Sequence, residues 1–409
     1  MSLISVWKSY TAAPHRVMFS GGCLQLVVAI AWWTAELAVR EGLLSPMPIV
    51  MVSTWAHAWL MLFGLVPFFM FGFLMTTYPR WMGGRAVPQA HYLGAFLLLT
   101  AGLVLFYVGL FAGVAWVLAG VILHGAGIAG GAYGLFAVYR AVEPWRDRRY
   151  ESHINLGWGF ALLAELAYVA WLGTGEPLLL QFAIQGALWL FLIPILVLVA
   201  HRMIPFFSSA VLKDYTVVQP NWTFPVVWIG VAGHVLLELV GARAWLFLPD
   251  GVLLVLALHH TRHWGLGRSL SVRLLGALHL AFAFLAVGLT LSVIQSLWLL
   301  TFGEWIFPRA PLHAVGIGFV GGMVVAMVTR VSRGHSGRPL EMDRRDWYAF
   351  LGILAASVLR MGSEVEFLSA YSPISLALIS GMVWLSALLP WVTGYLRIYL
   401  LPRVDGKPG

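Results

Sequence analysis

Charge and sulfur are what this chain has least of. One residue in ten is charged, 17 of the 409 residues are acidic, and Cys23 is the single cysteine. One thiol excludes an intrachain disulfide and any CxxC metal or redox motif. So little charge excludes an ordinary soluble domain, in which about 25% of residues are charged. Long polar stretches and low-complexity tracts are missing as well, and residues 1–409 read as a single polytopic membrane domain. No cleavable leader is expected, because the apolar run that follows Lys8 and Arg16 has full spanning length. The formal net charge of +8 raises nucleic acid as a partner. That partner is excluded in turn, since the basic residues lie in the short loops where membrane insertion requires them.

Apolar residues are abundant: 60% of the chain is hydrophobic and the mean hydropathy is +0.86. A spanning helix needs about 20 such residues. Twelve segments qualify, at approximately 17–39, 50–77, 91–111, 114–138, 153–173, 178–200, 222–241, 244–261, 270–293, 311–329, 347–367 and 373–396. Of the 25 lysines and arginines, a cytoplasmic N-terminus leaves Arg40, Arg243 and Arg309 outside and Arg360 within a span, and the other 21 fall inside. The expected fold is therefore an all-α bundle of about twelve transmembrane helices with both termini cytoplasmic, in a bacterial inner membrane. Trp7, Trp81, Trp145, Trp222, Trp305 and Trp347 suit the interfacial belts.

Histidines are threaded through these spans, and an ionisable ring in lipid usually faces a protein interior and works there. At 1.5 Å of rise per residue, His57, His234 and His313 share one layer in the outer leaflet, together with Glu36 and Glu238. His234 and Glu238 are four apart, on one helix face. A neighbouring carboxylate can fix a histidine's tautomer and strengthen it as a ligand. Two opposed histidines could hold haem iron axially, and a third with a carboxylate could hold copper. The plainer account is a hydrogen bond from each ring to a neighbouring helix. It weighs equally for any one histidine and less for three at one depth. His124, beside the run Gly125-Ala126-Gly127, and His279 are ambiguous in the same way. His91, His153, His201, His259, His260, His263 and His335 cluster at the inner face, where solvated rings are expected. The His259-His260 pair is similar to haem-copper oxidase subunits, yet the His-Pro-Glu-Val-Tyr and His-x-His elements that would complete that pattern are absent. Glu165 and Arg360, inside spans, each call for a partner.

Three inner-face segments place Arg beside Gly or Pro: Thr76 to Arg85, His201 to Phe207 and Thr329 to Pro339. Cations stabilise helix C-termini and hold the chain inside, which explains them without further function. The sharper account is an anion site in which Arg202, Arg330, His335 and Arg338 bind a phosphate or a haem propionate.

These segments together resemble the NnrS family of bacterial membrane proteins. The likeness rests on Leu62-Phe63-Gly64 through Gly72-Phe73-Leu74 and Pro79-x-Trp81-x-Gly83, on Arg202-x-x-Pro205-Phe206-Phe207, and on His313-Ala314 to Arg330-Val331-Ser332-x-Gly334-His335-x-Gly337-Arg338. The resemblance implies about twelve helices, haem and copper as cofactors, and a role in nitric oxide metabolism or nitrosative stress. It departs at span 2, which commonly opens Trp-His-Ala-His-Glu in the family. Here the residues are Ala56-His57-Ala58-Trp59-Leu60, so the second histidine and the glutamate are gone. Haem through His57 survives that loss more readily than copper does.

The leading expectation is a haem-binding protein, with copper as a second candidate, whose small partner is a diatomic such as nitric oxide. No electron-entry domain is visible, and whether it is an enzyme stays open, as does any protein partner. The alternative is a twelve-helix secondary transporter, although the segment Arg80 to Arg85 lacks the Asp of the major facilitator loop motif.

Overall fold

The computed structural model describes residues 3–369 and 374–406. The predicted start of the last span at 373, and Lys407, lie outside the described residues. Among the described residues, twelve helices build the bundle. They are α1 (Pro14–Arg40), α2 (Ser53–Met82), α3 (Gln89–Ala112), α4 (Val114–Ala141), α5 (Arg149–Thr174), α6 (Pro177–Ser209), α7 (Thr223–Leu239), α8 (Arg243–His263), α9 (Arg273–Phe302), α10 (Ala310–His335), α11 (Arg344–Gly362) and α12 (Leu376–Leu400). Among the described residues, ten of these are long and apolar enough to cross a membrane. Helix α7, at 17 residues, is apolar but short. Helix α11 carries Arg344, Arg345, Asp346 and Arg360, which dilute its hydropathy. The chain is a multi-pass membrane protein, and the expected count of twelve spans contracts to ten that qualify by length and composition.

Local chemistry explains the boundaries. Pro14 and Pro177 open α1 and α6 at a position where a missing N–H costs nothing. Asp343 and Ser375 cap α11 and α12 by accepting from Asp346 N and Leu378 N at 2.9 and 3.1 Å. Gly83 ends α2 in the left-handed region at φ 65°, which a side chain would strain.

Most consecutive helices pack as neighbours, α3 packs on α4 and α1 rather than on α2, and α12 returns to pack on α1, closing the ring. Both chain ends therefore meet at one face. There Arg16 Nη1 donates to the carbonyl of Leu401 at 2.7 Å. The loops at this end carry most of the arginines, so it is the basic end. Helices α2, α6 and α10 are the most deeply buried and touch one another at the centre. They recur at every fourth position, which gives the His57–Arg80 and His313–Arg330 segments equivalent places in the bundle.

Each central helix loses regular α geometry in the half away from the basic end. Helix α2 breaks at Phe63–Leu65, where Gly64 N reaches back five residues to Trp59 O. Pro67 follows directly and has no N–H to give. Helix α6 widens into π geometry over Gly186–Leu192, just before Pro194. Helix α10 does so over the glycine-rich Ala314–Gly321. Such widened turns frequently mark functional sites.

Candidate functional site

The three outer-layer histidines sit at these irregular turns. His57 lies one and a half turns before the break in α2, and its ring stacks on Trp33 of α1 with centroids 4.0 Å apart and planes 13° apart. His57 Nδ1 is buried and has no hydrogen-bond partner. His313 immediately precedes the π stretch of α10. Its Nδ1 donates to the Arg309 carbonyl at 2.8 Å, so the neutral ring presents its lone pair at Nε2. Both imidazoles lie within electrostatic reach of the Arg360 guanidinium, and His313 within reach of His57. Arg360 is itself held by Glu364 and Ser363, each at 2.6 Å. One ring therefore has an unspent nitrogen and the other an oriented one, on two of the three central helices.

His234 belongs elsewhere. It stacks on Trp189 in the π stretch of α6, with centroids 3.8 Å apart. Its Nδ1 meets Asp250 Oδ1 of α8 at 2.6 Å, and Ser292 of α9 donates to the other carboxylate oxygen. Its partner is thus Asp250 rather than Glu238, whose carboxylate is taken by Arg243 at 3.0 Å. Sharing one helix face did not decide the pairing, because α8 brings a buried carboxylate closer from across the interface. Glu36 likewise pairs with Arg40 and Ser53, at 3.2 and 2.7 Å. Among the described residues no group of three or more His, Cys, Asp or Glu side chains could hold a metal. The expected layer therefore divides into a His57–His313 pair and a separate His234–Asp250–Ser292 corner.

The remaining residues singled out in the sequence also find partners. His124 Nδ1 lies 3.3 Å from Glu165 Oε1 in the interior. His279 shares a hydrogen with Ser208 at 3.0 Å. The inner-face histidines correct the expectation of solvated rings. His201 and His260 are fully buried, while His259 is half-buried and His263 exposed. His201 Nδ1 bonds the Tyr150 hydroxyl at 2.7 Å, and His260 Nε2 the Thr223 hydroxyl at 3.0 Å. Neighbouring helices supply hydroxyls at the right height, so the rings turn inward rather than snorkel.

Of the four residues expected at an anion site, Arg202 is engaged with Glu151 at 3.7 Å and lies over the rings of Trp81 and Tyr150. Arg330 lies over Phe207 at 3.6 Å. His335 meets His15 at a centroid distance of 4.8 Å, and Arg338 Nη1 is buried without a partner. Sequence reasoning passed over Asp250, although a lone carboxylate in an apolar run was a signal of the kind Glu165 provided. It also passed over His15 and counted Arg16 only among the cytoplasmic charges, whereas both are buried.

The order of these segments, with central helices ending in Arg-Gly and Arg-Pro turns at one face, matches a known pattern along nearly the whole chain. A family model described as NnrS protein covers residues 9–403. The chain belongs to the NnrS family. A search of curated proteins finds no match. Among solved structures, a haem-copper terminal oxidase dimer determined by cryo-electron microscopy is similar to this NnrS chain. The alignment covers 100% of this chain and 87% of that one, with TM-score 0.67 and 12% identity. At that identity the likeness is one of fold. The NnrS bundle thus shares the architecture of that oxidase. Neither finding supports the transporter alternative.

Proposed function

We propose that this NnrS protein binds haem within the bacterial inner membrane, with His57 and His313 as the residues that would hold it, and acts in nitric oxide metabolism or resistance to nitrosative stress. One observation carries the reading: His57 and His313, on the central helices α2 and α10, lie within electrostatic reach of each other and of Arg360, one with a buried nitrogen unpartnered among the described residues and the other with its tautomer fixed. Such a donor pair fits haem iron, and a backbone carbonyl on the far nitrogen strengthens a histidine as ligand. The stacked Trp33 indole holds the His57 ring plane. Arg360 places a positive charge where an anionic group on a macrocycle would need one. Bound haem would supply an iron able to capture a diatomic that dissolves in lipid.

Copper is the second candidate metal. Its support is weaker, because His234 is already matched to Asp250 and the segment Ala56–Leu60 lacks the second histidine and the glutamate common in the family.

The test is spectral and physiological together. Purified protein should show a Soret band, and His57→Ala and His313→Ala should each lower the haem content or shift that band with the fold retained. Cells without the protein should grow worse than the parent under a nitric oxide donor at low oxygen, and the His57→Ala copy should fail to restore growth. Unaltered haem content and spectrum in both variants would remove the pair as ligands. Equal growth of deletion and parent strains would remove the stress role.

A further inference from the structure

A second cluster of charge lies at the basic end, between the ends of α1, α2, α10 and α12. His15 of α1 and His335 of α10 approach with centroids 4.8 Å apart, and Thr76 of α2 lies 3.4 Å from His15 Nδ1. Four arginines surround this pair. His15 lies within electrostatic reach of Arg16 and Arg80, His335 of Arg80, Arg403 and Arg16, and Arg16 of Arg403 and Arg338.

Two of the four are positioned by the backbone. Arg16, buried in the bundle, donates through Nη1 to the carbonyls of Ser9, Tyr399 and Leu401 at 3.0, 3.2 and 2.7 Å. Arg403 donates to the His335 carbonyl at 3.1 Å and to Asp405. The other two have unspent donors. Arg338 Nη1 is buried and unpartnered among the described residues, and the exposed Arg80 side chain makes no hydrogen bond or ion pair among them. Against four guanidiniums, the contacts among the described residues provide one carboxylate, Asp405. Like charges gathered at a partly buried site repel, and their desolvation is repaid only by an opposite charge. Some arginines at this end are matched, as Arg333 is to Asp343 and Asp346 and Arg149 is to Asp147.

We propose that Arg16, Arg80, Arg338 and Arg403, with His15 and His335 as the floor, form a binding site for a phosphate-bearing anion. Guanidinium forks match the oxygens of a phosphate group in pairs. The site is independent of the haem reading. Thr76 lies nineteen residues beyond His57 on α2, about 28 Å along a helix axis, too far for a carboxylate of a haem held by His57 to arrive here. The phosphate can belong to an anionic lipid headgroup, as basic pockets between spanning helices take, or to a soluble ion.

Full-length protein in neutral detergent should unfold at a higher temperature in inorganic phosphate than in chloride of equal ionic strength, or should retain phosphatidylglycerol over phosphatidylcholine in native mass spectra after passage through mixed vesicles. The first result assigns a soluble anion and the second a lipid headgroup. Removing one charge-assisted guanidinium contact should weaken binding about tenfold. Arg80→Gln with Arg338→Gln should therefore abolish whichever response the parent shows. Arg344→Gln, which removes an exposed charge from the same end, should leave it intact. Should the double variant fail to fold, Arg338→Gln alone carries the test at a half-buried side chain. A parent protein with neither response, or equal loss in the Arg344→Gln control, overturns the site.

Discussion

At the scale of single residues, the interior of this bundle is organised by pairs of polar groups that cannot stay alone in lipid. His124 and Glu165 are the most enclosed example, both buried and 3.3 Å apart between α4 and α5. Removing one partner of a buried pair costs about 3–5 kcal/mol, whereas replacing both with apolar groups is often neutral. Glu165→Ala should therefore lower the thermal midpoint of the solubilised protein markedly, and the double variant His124→Leu, Glu165→Leu should recover much of the loss. A double variant as unstable as the single one would show that the pair is needed for something other than mutual compensation. The need of Glu165 for a partner was legible in the sequence, but the identity of that partner was not. His234 teaches the same point. Its spacing from Glu238 put both on one helix face, yet Asp250 comes from the next helix at 2.6 Å and takes the ring.

Among the helices, apolar periodicity says little, because a helix surrounded by lipid and protein is apolar all round. Small residues carry the packing information instead. Between α3 and α4 the backbones touch. A Cβ at Gly102 would lie 2.4 Å from His124 N, one at Gly109 2.4 Å from Val117 N, and one at Gly120 2.6 Å from Phe106 N. The neighbours are backbone and cannot turn aside. Gly109→Val should force the hairpin apart and lower the thermal midpoint, with a cost of about 1–3 kcal/mol or more for overpacking. Gly94→Val in the same helix meets open space and should be tolerated. Equal midpoints for the two variants would contradict the close approach. The widened turns in α2, α6 and α10 belong to this scale as well. Pro67 and Pro194 hinted at two of them, but a proline after a break does not say that the break faces a site.

For the whole molecule, closure of the ring through α12 and α1 brings both termini to the basic end. Together with the loop arginines, this sets a topology that can be tested directly. Reporter fusions after Asp147, Lys213 and Asp343 should read cytoplasmic, and those after Gly175 and Gly303 should read external. A reversed pattern at most of these points would reject a cytoplasmic basic end, and a mixed pattern would reject twelve crossings.

Composition alone determined the class, because a chain with so few charges can bury its surface only in lipid. The positions of the twelve helices also followed from sequence to within a few residues, except where the ends of α6, α9 and α10 run on past the expected spans. Those properties depend on each segment's own residues. The motifs that carry the family likeness are likewise local and could be read directly. What tertiary structure decided is which polar groups meet. His15 meets His335 and His57 comes within electrostatic reach of His313 across helices distant in sequence, while His234 with Asp250 and His124 with Glu165 pair between consecutive helices. Depth along the membrane normal can be counted from residue numbers. Rotation about each helix axis and the order of helices around the ring cannot, because they are set by packing among all twelve at once.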